Sequence, residues 1–185
     1  MLNTILDFDW KILDLIQGMR CEFLDRIMMF LTSLGNYGAI WIFIGVLFLF
    51  FKKTRKTGIA MAFALLAVLI LGNMVLKPLI ARLRPFMTDE TIMLLIKAPE
   101  DFSFPSGHTY SAIAAATAIL RYHRKSGVFA LAVALLIGFS RMYLMVHFPT
   151  DILGGIVLGI ICSIIGIFIT EKIYKAVNKP KDVRV

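Results

Sequence analysis

Apolar residues run almost unbroken through four segments of this chain, residues 38–51, 58–76, 127–146 and 152–170, and charged residues gather between them. Each run is near the length of about 20 residues that a helix needs to cross a bilayer. A fifth segment, 107–121, is less oily, and its Ala112, Ala114, Ala115 and Ala116 suit close packing against neighbouring helices rather than contact with lipid. Residues 1–34 follow another rule: Asp7, Asp9, Lys11, Asp14, Arg20, Glu22, Asp25 and Arg26 alternate with apolar residues at helical spacing. That pattern predicts interfacial amphipathic helices, with residues 23–34 having the alternative of entering the membrane as part of a sixth span. The expected architecture is all-α, an integral membrane bundle of about five or six spans in a single domain over residues 1–185. No repeat, low-complexity segment or linker divides it. Early acidic residues and the lack of a basic start make residues 1–15 a poor signal peptide, so the segment is expected to be retained.

Composition sharpens the class. The chain of 185 residues is 59% hydrophobic, with a mean hydropathy of +0.82, far above a soluble average. The formal charge of +8 invites nucleic acid as a partner, but no aromatic and basic binding motif accompanies it. The basic residues instead form short runs, Lys52 to Lys56, Arg121 to Lys125 and the tail from Lys172 to Arg184. Alternating helices place all three runs on one side, which the positive-inside rule makes cytoplasmic. Segments 77–106 and 141–151 then face outward. Cys21 and Cys162 form no paired framework and are expected only to pack.

Three clusters mark the outward helix ends: Lys77 to Pro85 after one span, Pro105 to His108 before another, and Ser140 to Asp151 between two more. Taken singly, each has a structural explanation. Lys77, Arg82 and Arg84 can snorkel to head groups, and Asp151 can serve as a helix N-cap. Together they are costly near a bilayer unless paired or facing a cavity, and ionisable groups at that depth are functional candidates. Lys77, Arg84 and Arg141 suit a group with more than one negative charge, and the arginine forks match tetrahedral oxyanions. The Pro105-Ser106-Gly107-His108 turn adds a close backbone approach at Gly107, free N–H groups at a helix start and the Ser106 hydroxyl. Phosphate is the ligand these residue types share.

Two of the three histidines lie in these clusters, and His123, in a basic loop, is expected to be solvated and structural. Beside a bound phosphoryl group one histidine attacks phosphorus and the other protonates the leaving oxygen. His147 is the nucleophile candidate because Asp151, four residues on, can hold one ring nitrogen as a donor and leave the other lone pair free. His108 is then the acid and base. A metal site from His108, His147 and Asp151 is a weaker competitor, since three nearby cations repel a divalent ion. No metal or cofactor is expected.

These residues resemble the type 2 phosphatidic acid phosphatase superfamily. Lys77 to Pro85 matches K-x6-R-P, Pro105 to His108 matches P-S-G-H, and Ser140 to Asp151 matches S-R-x5-H-x3-D. The resemblance implies that Lys77, Arg84 and Arg141 bind phosphate with Ser106 and Gly107, that His108 is the general acid, that His147 forms a phosphohistidine and that Asp151 orients it. It gives Arg82 no fixed role. Compact bacterial members hydrolyse undecaprenyl pyrophosphate, phosphatidylglycerophosphate or phosphatidic acid on the outer face of the membrane. Some relatives in the undecaprenyl pyrophosphate group carry Asp where this chain has Gly107, which shifts weight toward phosphatidylglycerophosphate.

The expected partner is therefore a lipid phosphate from the outer leaflet. Residues 86–104 are expected to form a lid or interfacial helix, with Met93, Leu94, Leu95 and Ile96 touching lipid or forming a buried loop. Two other readings remain at this point. A vanadium haloperoxidase shares the constellation but is a much larger soluble protein, and a lipid-binding or transport protein would need the cations without both histidines and Asp151.

Overall fold

A computed structural model describes residues 2–178. Its helices are α1 (Leu2–Gln17), α2 (Glu22–Leu34), α3 (Ala39–Phe50), α4 (Arg55–Val68), the short α5 (Lys77–Ile80) and α6 (Pro85–Thr88), then α7 (Gly107–Tyr122), α8 (Arg124–Tyr143) and α9 (Pro149–Val177). No strand occurs among the described residues. The expected all-helical membrane fold is the observed one.

Three stretches are long and apolar enough to cross a bilayer alone: Arg55–Thr88, α8 and α9. α2 and α3 pass the same test together across a 42° bend, where Tyr37 and Gly38 adopt left-handed backbone. Residues 23–34 and the 38–51 segment thus form a bent pair with the combined length and apolarity of one span. Helix α7 covers the expected fifth segment in 16 residues. It forms a central pillar of the bundle. Ala112, Ala114, Ala115, Ala116 and Ala118 are buried in it, and α4, α8 and α9 pack around it.

Small residues set how close α9 comes. A Cβ built on Gly159 would lie 2.8 Å from the Tyr110 carbonyl oxygen, and one on Gly155 would lie 3.0 Å from that of Ser106. Any side chain at either position would push α9 off α7. The contact brings the start of α9 against the start of α7, where the Ser106 N–H donates to the Asp151 carbonyl at 3.1 Å.

α1 is amphipathic as expected, with Ile5, Phe8 and Leu15 on its exposed face. Its inner face is more than an interfacial helix requires. Leu13 and Asp9 are fully buried, and Trp10 meets the Phe148 ring edge-on at 5.4 Å.

At the opposite end of the bundle, Glu171 accepts from Lys56 at 2.7 Å and from the Tyr122 hydroxyl at 3.1 Å. This gathers the expected basic clusters at one end, although residues 179–185 of the basic tail lie outside the described residues. His123 is half-buried rather than solvated, packed on Phe48 at 5.8 Å between ring centroids. Cys162 is buried, as expected of a packing residue, whereas Cys21 is exposed.

Candidate active site

Lys77 follows a stretch of π-helix, Leu69–Leu76, a wide turn that recurs at functional sites. Ala81 then adopts a left-handed conformation and reverses the chain, so that Lys77 and Arg84 converge on one carboxylate. Asp101 pairs with Lys77 through one oxygen and accepts from Arg84 Nη2 at 2.6 Å through the other. Burial alone would raise the Asp101 pKa, but the Lys77 and Arg84 charges outweigh it and bring it down to about 2. An anion thus already bridges two of the three predicted phosphate ligands.

Arg84 is the hub. Its Nε donates to the Asp101 carbonyl at 2.8 Å, and its Nη1 donates to the Val146 carbonyl at 2.6 Å and faces His147 Nε2 at 3.1 Å. A guanidinium has donors only, so that contact requires a lone pair on Nε2 and leaves the ring proton on Nδ1. Burial first, and then the charges of Arg84, Arg141 and Lys77, lower the His147 pKa well below its ordinary value. The ring is a neutral imidazole whose Nε2 faces the cations.

Behind the ring, the expected partnership with Asp151 is looser than a hydrogen bond, with Nδ1 3.5 Å from Oδ2. Ser103 stands beside them, its hydroxyl 3.3 Å from Nδ1 and donating to Asp151 Oδ2 at 2.5 Å. Asp151 also accepts the Phe148 N–H at 2.8 Å, so the N-terminal capping contact and proximity to His147 coexist. Its other oxygen accepts from Arg82 Nη1 at 2.6 Å.

Arg141, at the end of α8, is buried and donates through Nη1 to Thr32 at 2.6 Å. Its Nε has no partner among the described residues. His108 stands at the start of α7 with Nε2 3.1 Å from Asn36 Oδ1. A Cβ on Gly107 would sit 3.7 Å from Lys77 Nζ, which sets the helix start beside that cation. Ser106 is buried, its hydroxyl accepting from Thr109 at 3.0 Å.

A cavity of about 1100 Å³ joins these groups. Lys77, Arg84, Gly107, His108, Arg141 and His147 line it, whereas Ser106 and Asp151 lie behind. Its apolar lining includes Ile42, Leu66 and Leu69, which are also exposed on the bundle. The cavity therefore reaches the lipid-facing side. His108, His147 and Asp151 do not converge as a ligand set, and no metal-binding group of His, Cys, Asp or Glu occurs among the described residues.

Residues 89–106 contain no helix, so the expected interfacial helix is absent there. Residues 96–101 border the cavity. Leu94 and Ile96 pack inward against the buried cluster that includes Tyr143 and Leu144, and Met93 and Leu95 are exposed, which divides the four expected lipid contacts into two pairs.

The sequence profile described as the PAP2 superfamily matches residues 57–175, the segment that carries all three clusters. The chain belongs to the PAP2 superfamily. Among PAP2 relatives, it is 34% identical over 155 residues to the undecaprenyl-diphosphatase of Sulfolobus acidocaldarius, covering 83% of this chain and 74% of that one. It is 32% identical over 178 residues to phosphatidylglycerophosphatase B of Bacillus subtilis, covering 86% and 81%. The crystal structure of a transmembrane PAP2-type phosphatidylglycerolphosphate phosphatase from Bacillus subtilis superposes with a TM-score of 0.74 at 28% identity, over 97% of this chain and 90% of that one. Membership makes this protein a multi-pass membrane phosphatase, a hydrolase of lipid phosphate esters. Asp101, Ser103, Asn36 and Thr32 touch these groups from outside the PAP2 motifs, and Arg82, at a variable position of the first motif, links Asp151 to Asp9.

Proposed function

We propose that the chain removes the terminal phosphate of a lipid phosphate or diphosphate through a phosphohistidine on His147, with its site on the extracytoplasmic face of the cytoplasmic membrane. The observation that carries this reading is His147 Nε2 facing Arg84 at 3.1 Å within the cavity shared with Lys77, Arg141 and His108. The phosphoryl group displaces the Asp101 carboxylate and takes its place between Lys77 and Arg84, with Arg141 and the Gly107 end of α7 completing the cradle and Ser106 buried behind it. Nε2 attacks phosphorus as the bond to the leaving oxygen breaks, and His108 gives that oxygen its proton. Water then attacks the phosphohistidine, His108 takes the water proton, and the P–N bond breaks to release inorganic phosphate. Asp151 orients His147 and offsets the positive charge on its ring. The three cations stabilise charge on the equatorial oxygens, a task that metal ions perform in many phosphoryl-transfer enzymes.

The mixed lining supports a lipid substrate: the head group meets the cations while its chains lie along Ile42, Leu66 and Leu69 at the lipid-facing side. Three basic clusters at the far end support a cytoplasmic placement of that end. The test is phosphate release in detergent with a chelator present, comparing undecaprenyl pyrophosphate, phosphatidylglycerophosphate and phosphatidic acid, with His147→Ala as the blank. Release above the blank and a ranking among the three is the expected result. No release from any of them would favour a protein that only binds lipid head groups.

A further inference from the structure

Arg82 and Asp9 form a largely enclosed ion pair that the reaction scheme leaves unused. Asp9 projects from the N-terminal helix α1 and is fully buried. Its Oδ2 accepts from Arg82 Nη2 at 2.6 Å and from the Thr150 hydroxyl at 2.6 Å, and its Oδ1 accepts the Thr150 N–H at 3.0 Å. The other arm of the same guanidinium donates to Asp151 Oδ1 at 2.6 Å and to the Thr150 hydroxyl at 2.7 Å. The guanidinium plane covers the Phe148 ring at 4.2 Å. One cation thus joins two fully buried carboxylates, one from each end of the chain.

Arg82 does not line the phosphate cavity, and both of its terminal nitrogens are committed to carboxylates, so it is not a fourth phosphate ligand. We propose that Arg82, fixed by Asp9, is a positioning residue that orients Asp151 and, through it, His147, making the N-terminal helix part of the reaction machinery. The proposal rests on the roles assigned above to Asp151 and His147. An ionised carboxylate buried beside His147 needs a compensating charge, and the planar fork fixes its direction as well. Asp9 supplies the second carboxylate, which keeps the fork from turning toward the cavity.

The test is steady-state kinetics of Arg82→Gln, Asp9→Asn, Asp151→Asn and the double variant Arg82→Gln/Asp151→Asn. The assay uses whichever of the three lipids turns over fastest, with inorganic phosphate as competitive inhibitor. Misorientation at the reacting centre is expected to lower kcat about 100-fold in Arg82→Gln and about 10-fold in Asp9→Asn. KM and the phosphate inhibition constant are expected to stay within about 3-fold, because the phosphate-binding cations are untouched. Adding Arg82→Gln to Asp151→Asn is expected to cost less than about 3-fold more. The proposal is overturned if folded Arg82→Gln keeps the wild-type kcat, if KM and phosphate inhibition weaken in step with kcat, or if the two losses multiply. Where Arg82→Gln does not accumulate, Asp9→Asn decides by the same split, and a wild-type kcat in it overturns the proposal. Full activity in Asp151→Asn would overturn instead the reading of the site on which the proposal rests.

Discussion

The two ends of the bundle are both rich in cations, and they use them differently. At the basic end, Lys56 and Glu171 meet at 2.7 Å with about a third of each side chain exposed, and Lys52 and Lys53 are exposed. At the site end, Lys77, Arg84 and Arg141 are buried together, and Arg84 makes five polar contacts. The histidines divide in the same way: His123 packs on an aromatic ring, while His147 faces a guanidinium. Positive charge alone would not tell the ends apart. Convergence of buried cations that share one carboxylate does, because such an arrangement is stable only if an anion is bound or waiting.

The sharpest way to break the comparison is to exchange histidines. His147→Ala is expected to bring phosphate release down to background, and His108→Ala to lower kcat by about 100- to 10,000-fold, the range of a lost general acid. His123→Ala is expected to stay within about twofold of the parent; equal loss in all three would erase the distinction between the ends. Next in size are the cations. Lys77→Ala and Arg141→Ala are each expected to cost about 100- to 1000-fold in kcat, as for other preorganised charge stabilisers, and to weaken phosphate inhibition as well.

A gain is expected from Asp101→Asn. Removing the carboxylate that occupies the Lys77 and Arg84 pair should lower KM and the phosphate inhibition constant about 5-fold, because less of the protein sits in a blocked state. The same variant sharpens the electrostatics. Asp101 titrates at about 2 when folded, against about 3.9 unfolded, so its contribution to stability is complete above about pH 4 and fades as the pH falls toward about 2. Acid-unfolding curves of Asp101→Asn should lack that part of the slope. The smallest effect belongs to Lys56→Gln, within about twofold in rate, since the pair with Glu171 lies at the end away from the cavity, and a partly exposed pair contributes only about 0–1 kcal/mol to stability.

Much of this was legible in the chain. Four apolar runs, a small-residue helix and three motif clusters are written in residue types and spacing, and the fold places Lys77, Arg84, His108, Arg141 and His147 around one cavity. The missing parts come from segments without periodicity. Asp101 and Ser103 lie in an irregular stretch whose path is set by Arg84 and by the Ser103 N–H donating to the Arg82 carbonyl at 2.8 Å, and nothing in local sequence fixes such a path. Asp9 did leave a signal. It shares a helical face with Leu13 and Ile16, both buried, and a carboxylate on the apolar stripe of an amphipathic helix needs a partner elsewhere in the fold. The bend between α2 and α3 escaped because Tyr37, a bulky residue, takes a left-handed conformation that its residue type does not advertise.

Helix α9 also works as a depth gauge. From Asp151 to Glu171 it rises about 30 Å at about 1.5 Å per residue, the thickness of the hydrocarbon layer, and it carries no charged residue between those two. Thinning or thickening the bilayer would therefore move both carboxylates relative to the polar boundaries at once. A helix of that length would fix the depth of the reacting phosphorus, and turnover should respond to the acyl-chain length of the surrounding lipid even when the substrate stays the same.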